Sequence, residues 1–230
     1  MIKISQRLKQ VAELVPEGMR LADVGTDHGY VPIWLLQQGR IPSAIAMDVN
    51  KGPLIRAEEN RAKYGLDRQI ELRQSDGLEK LKPGETDVVL IAGMGGPLMI
   101  RILEEGRAAA ECISAFVLQP QSEIPSVRRY LIRNGYDIEE EIMLIDEGKY
   151  YMGMKAVHRK VEEWSEAEYL FGKKLLESGN DVLFQFMLKE QKLYTKILNQ
   201  LNLSGQEDSE RYREVVDYLK ELENGICYFK

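Results

Sequence analysis

Between Leu21 and Val157 short apolar runs alternate with amphipathic stretches. The runs Leu21 to Val24, Ser43 to Met47, Ile70 to Arg73, Asp87 to Ile91 and Ala115 to Leu118 have the length and apolar density of buried strands. Helical spacing fits between and after them at Pro32 to Gln38, Gly52 to Tyr64, Pro97 to Glu105 and Pro125 to Asn134. Such alternation predicts an α/β fold with a mostly parallel sheet and right-handed crossovers. An amphipathic opening helix is expected over Ser5 to Val15, where Leu8, Val11, Ala12 and Val15 recur at three- and four-residue steps.

The pattern then changes twice. Ile138 to Ile145 and Lys149 to Val157 are separated only by Asp146-Glu147-Gly148, a turn too short for a parallel crossover, so an antiparallel hairpin should close the sheet. Beyond His158 strand signals stop. Ser165 and Glu168 have the spacing of a capping box before one helix, and Gly179-Asn180 reads as its end and the cap of the next. Phe184, Met187, Gln191, Tyr194, Leu198 and Leu201, then Tyr212, Val215, Leu219, Leu222 and Ile226, form two heptad-like stripes on either side of Ser204-Gly205. The reading is a sheet domain over 1–160 and an all-α coiled-coil hairpin domain over 161–230. That second part serves either for stability and dimerisation or as a substrate-docking arm.

Composition narrows the class. The 230 residues are 44% hydrophobic and 30% charged, with a net charge of -6, which disfavours nonspecific coating of nucleic acid, since that draws on phosphate neutralisation by Lys and Arg. Cys112 and Cys227 are isolated and no metal-ligand cluster is visible, so no metal is expected and a reducing cytoplasm is the natural setting. No signal-peptide core or membrane-length apolar run is present, so no membrane association is expected.

The candidate chemistry centres on Asp23-Val-Gly25-Thr-Asp27-His28-Gly29, which follows the first strand. A dinucleotide turn wants G-x-G-x-x-G, with glycine where backbone meets pyrophosphate. Here Asp27 stands there, and its charge repels a pyrophosphate. S-adenosylmethionine has no phosphates and carries a sulfonium and an ammonium, so an acidic turn suits it by Coulomb sign. Asp23 would accept from the ammonium, with Gly25 and Gly29 allowing close backbone approach. Asp48, about 25 residues on at the end of the second strand, is placed for ribose hydroxyls, with Val49 beside it. Asp76, with Gly77, follows the third strand and is placed for the exocyclic amine of adenine. The plainer alternative for each acid is a helix cap after a strand.

Over about Leu8 to His158 the sequence resembles the class I S-adenosylmethionine-dependent methyltransferases, which have a Rossmann-like sheet. Within them it is similar to the TrmK family, bacterial tRNA adenine-N1 methyltransferases that modify position 22. The carrying residues are Asp-Val-Gly-Thr-Asp-His-Gly-Tyr-Val-Pro at 23–32, Ala-Met-Asp-Val-Asn at 46–50 and Ala-Gly-Met-Gly-Gly at 92–96. The helical C-terminal part matches that family too. The resemblance implies S-adenosylmethionine as cofactor, tRNA as partner, and a chain acting as a monomer or weak dimer.

In that architecture the end of the fourth strand faces the methyl group. Gly93 and Met94 are then cofactor contacts, and Gly95 and Gly96 leave room for a base edge. The alternative is a glycine-rich helix start that merely permits tight packing. N-P-P-Y, expected for N6-amino methylation, is absent. Asp27 is the candidate for stabilising charge on the base, with His28 as a catalytic neighbour and Tyr30 to orient or stack; His28 reads equally well as a turn residue bonding local backbone. Gln119-Pro120-Gln121 is a base-edge candidate. Arg128 and Arg129, with Arg101, Arg107 and Arg133, are candidates for phosphate. Small-molecule or protein methylation, or a cofactor-binding scaffold without catalysis, are the competing functions.

Overall fold

Leu21–Val24 (β1), Ala44–Asp48 (β2), Ile70–Gln74 (β3), Val88–Met94 (β4) and Ala115–Pro120 (β5) are the five strands expected from the apolar runs. The computed structural model, which describes residues 1–229, pairs them in parallel. Tyr136–Asp146 (β6) and Lys149–His158 (β7) form the expected hairpin, and β7 joins β5 antiparallel. The sheet order is β3-β2-β1-β4-β5-β7-β6. β1 and β5 are buried at every position while the edge strand β3 is only partly so, which is why the inner strands read as continuous apolar runs rather than alternating ones. The chain order reverses direction between β1 and β4, and the crevice beyond the carboxyl ends of the strands at such a reversal is where open α/β sheets bind ligands.

Six helices accompany the strands: Gln6–Glu13 (α1), Tyr30–Gln37 (α2), Lys51–Lys63 (α3), Gly96–Glu105 (α4), Arg107–Ala110 (α5) and Ile124–Arg133 (α6). α2 starts two residues before the apolar pattern suggests, because Gly29 at φ +69° caps it in a left-handed conformation. The four-residue α5 is too short to leave a periodic signal.

On α6 one expectation is overturned. Arg128 is fully buried, and its Nε donates to Glu141 Oε1 of β6 at 2.8 Å, with both side chains inaccessible to solvent. It lies on the same helix face as the buried Val127, Leu131 and Ile132. An arginine held there fastens α6 to the sheet and does not reach a phosphate. Its neighbour Arg129 is half-buried.

A second compact unit begins at Glu162. Glu166–Phe171 (α7) opens with a complete capping box between Ser165 and Glu168. The single helix expected from there to Gly179 is broken at Gly172, whose φ of +93° ends α7 before Lys173–Glu177 (α8). Asn180 caps Asp181–Leu203 (α9) through its side chain, as its position suggests. Glu210–Ile226 (α10) returns antiparallel to α9: the Tyr194 and Tyr218 rings lie 4.4 Å apart, and Phe184 stacks on Phe229 at 4.8 Å. The two long antiparallel helices of this unit thus start at Asp181, after the short α7 and α8. Among the described residues no helix is long and apolar enough to cross a membrane.

Candidate active site

The turn after β1 is built to approach its neighbours closely. The N–H groups of Gly25 and Thr26 both donate to Met47 O at 2.8 Å, carrying the chain over the end of β2. Gly25 has φ +73°, which calls for glycine, and a Cβ there would also push the flexible Met94 methyl aside. Thr26 Oγ1 donates to Asp23 Oδ2 at 2.6 Å, with both residues buried. Burial pushes the Asp23 carboxyl up to about 6. The Thr26 hydrogen bond opposes that rise, and the nearby Asp48 and Asp27 charges add to it.

His28 sits at φ +61°, uncommon for a residue with a side chain. α3 holds it there: Asn60 Nδ2 donates to His28 O at 2.9 Å, and the Arg56 guanidinium lies 2.9 Å from His28 Nε2. The same Nε2 is 3.0 Å from Asp27 Oδ1. That nitrogen serves one partner at a time, donating to Asp27 when protonated or accepting from Arg56 when not. The ring also stacks on Tyr30 at 5.0 Å.

A cavity of about 360 Å³ opens at the strand ends, lined by Asp23, Gly25, Asp27, Tyr30, Asp48, Gly93 and Met94 among others. With Gln121, eight of the residues singled out from the sequence therefore meet in one place. Along its wall β4 carries a bulge: the pairing with β5 slips between Ala92 and Met94, and the extra residue is Gly93 at φ +80°.

The remaining sequence candidates lie elsewhere. Gly29 caps α2 with a Cβ position 3.3 Å from Ala57, so it serves packing against α3. Val49 projects into solvent, 53% exposed. Asp76 is 3.3 Å from Arg101 and, with Gly77, lines a separate small cavity beside Ile102 and Glu105. Gly95 caps α4, and Gly96 packs so tightly on the Ser122 and Glu123 backbone that a Cβ has no room. Gln119 is fully buried, its Oε1 accepting from Arg7 Nη1 at 2.7 Å. Arg107 reaches Asn134.

Five cavity residues were not among the sequence's site candidates: Arg7, Leu8, Val31, Leu90 and Ala92. Arg7 is the one cation of the lining. It lies over the Tyr151 ring at 5.2 Å, and its N–H donates to Asp146 Oδ2 at 3.2 Å. No local motif marks it, because α1 is joined to the site only by the fold. Among the described residues no cluster of three or more His, Cys, Asp and Glu could hold a metal ion.

Residues 4–154 match the family described as a methyltransferase domain. The tRNA (adenine(22)-N(1))-methyltransferase of Bacillus subtilis is 39% identical over 150 residues, covering 65% of this chain and 63% of that protein; the match spans a little under two thirds of the curated relative's length. The crystal structure of the B. subtilis m1A22 tRNA methyltransferase TrmK superimposes with a TM-score of 0.87 at 32% identity, covering 98% of this chain and 100% of that one. M. capricolum TrmK, solved with S-adenosyl-homocysteine, gives 0.87 at 30% identity over 99% of both chains. With an acidic cavity at the ends of β1, β2 and β4 and relatives matched along its whole length, the chain belongs to the TrmK family of methyltransferases.

Proposed function

We propose that this chain binds S-adenosylmethionine in the 360 Å³ cavity and methylates N1 of an adenine in tRNA, at the position its relatives' names give as 22. The observation that carries the reading is the charge of the lining: three carboxylates, Asp23, Asp27 and Asp48, face one guanidinium, Arg7. A ligand with a sulfonium, an ammonium and a single carboxylate, and no phosphate, complements that set. Asp23 receives the ammonium, Arg7 the carboxylate and Asp48 the ribose hydroxyls. Gly25 leaves the backbone bare beneath them.

When bound, S-adenosylmethionine supplies an electrophilic methyl: the N1 lone pair forms the new C–N bond while the C–S pair returns to sulfur, leaving a thioether and a cationic base. No proton needs to move, so the protein's task is to orient the adenine and favour the charge it gains. Asp27, exposed at the cavity wall and steadied by His28, stabilises that charge, and Tyr30 offers a ring for stacking. N1 lies on the pairing edge, so the base must leave its helix first, at a cost of a few kcal/mol. The helical unit grips tRNA away from the reaction. The setting is the cytoplasm and the working form a monomer or weak dimer.

Mass spectrometry of unmodified tRNA incubated with the protein and S-adenosylmethionine tests the reading. Formation of 1-methyladenosine is expected. Its absence on every tRNA with a free adenine at that position would overturn it.

A further inference from the structure

Gln121 is a cavity-lining side chain that the fold leaves uncommitted. Its N–H donates to Met94 O at 2.9 Å, tying the segment after β5 to the end of β4. Its side-chain Nε2 lies 3.6 Å from where a Cβ on Gly93 would stand, so the exposed amide rests over bare backbone at the cavity wall. Among the described residues neither amide atom has a hydrogen-bond partner. Gln119, two residues earlier, is the opposite case, buried with its oxygen taken by Arg7.

We infer that Gln121 reads the Hoogsteen edge of the target adenine, its Oε1 accepting from N6–H and its Nε2 donating to N7. This rests on the adenine-N1 reading above and adds to it the group that selects the base. A glutamine amide matches N6 and N7 of adenine with two bonds, and using that edge leaves N1 unobstructed. Guanine presents two acceptors there, O6 and N7, so the amide oxygen would face another oxygen. The same contact favours the reaction itself. Methylation at N1 spreads positive charge onto the exocyclic nitrogen, and the N6–H bond to Oε1 becomes charge-assisted as that charge grows. Gln121 therefore contributes to turnover as well as to recognition.

The test uses the full chain and tRNA transcripts carrying either adenosine or 7-deazaadenosine at the target position, which differ by the N7 acceptor. Single-turnover rates at saturating S-adenosylmethionine are measured for wild type, Gln121→Ala and Gln121→Glu, with cofactor Kd as the control for an intact site. Ratios of variant to wild type within each transcript cancel the altered basicity of N1. Gln121→Ala is expected to slow the adenosine transcript by about ten- to hundredfold, and the 7-deazaadenosine transcript by much less, at unchanged cofactor Kd. Gln121→Glu places a carboxylate against the N7 lone pair, so its ratio to wild type should be higher on 7-deazaadenosine than on adenosine. Equal losses on both transcripts, or no loss on either, would overturn the inference while leaving the adenine-N1 reading intact. A wild-type protein that binds cofactor but forms no 1-methyladenosine on the adenosine transcript would sink the reading beneath it.

Discussion

Arg128 and Asp23 are both buried charges, yet the protein treats them in opposite ways. Arg128 meets Glu141 at 2.8 Å with both side chains fully enclosed, so the charge is balanced inside the fold. Asp23 meets only the Thr26 hydroxyl and, farther off, two more carboxylates, and its carboxyl is pushed up to about 6. A buried charge with an internal counterion belongs to architecture. One left in deficit at a cavity wall is waiting for something from outside, and its elevated pKa measures the deficit.

Breaking the balanced pair should produce the largest effect. Arg128→Ala removes one side of the buried pair and is expected to cost about 3–5 kcal/mol, seen as a thermal midpoint lowered by about 10 °C. The double replacement Arg128→Met with Glu141→Leu should recover most of that loss, and cofactor Kd measured below the transition should not change. Asp23→Asn is the converse. It removes the deficit, so the ligand-free protein should hold or gain stability in denaturant titration, while calorimetry should show S-adenosylmethionine binding weakened by about ten- to hundredfold. A variant that lost stability and kept its affinity would erase the distinction between the two sites.

Acidity sharpens the same contrast. A carboxyl raised in the folded state favours folding while protonated; that contribution is full below about pH 4 and is lost as pH rises through about 6. For the ligand-free protein it amounts to roughly 2–3 kcal/mol at most. A cationic ligand needs the ionised form, so its affinity should run the other way, about tenfold weaker at pH 5 than at pH 7. Calorimetry across that range checks it, and Asp23→Asn should flatten the profile. Arg7→Ala should give the smallest change: about tenfold in affinity for S-adenosylmethionine, and little for its decarboxylated analogue, since the lost partner is the carboxylate.

Much of this was legible in the residues. The apolar runs predicted the five parallel strands because strands covered on both faces read as unbroken apolar stretches, and the short turn at 146–148 predicted the antiparallel hairpin of β6 and β7. The acidic turn predicted the cavity because Asp23, Gly25, Asp27 and Asp48 sit at adjacent strand ends whatever the loops do. Arg128 was misread by treating arginine as a surface residue, although its spacing from Ile124 and Leu131 puts it on the apolar stripe of α6. Arg7 had no such signal of its own, and Gln121 was marked only as one of three residues closing the fifth strand. They reach the cavity because the first helix and the end of β5 converge on β4, and convergence between distant segments leaves no trace in local pattern. Asp76 follows β3 as expected, and no local signal showed that Arg101 from α4 would stand beside it.

The slipped pairing at Gly93 gives chain length a meaning at this site that residue identity lacks. Leu90, Ala92, Gly93 and Met94 all line the cavity. Deleting the single extra glycine would restore an unbroken ladder with β5 and take a bare, left-handed backbone position out of the cavity lining. Regular hydrogen bonding and a usable pocket are therefore alternatives here. In a redesign of the acceptor end, the irregularity is the part to copy.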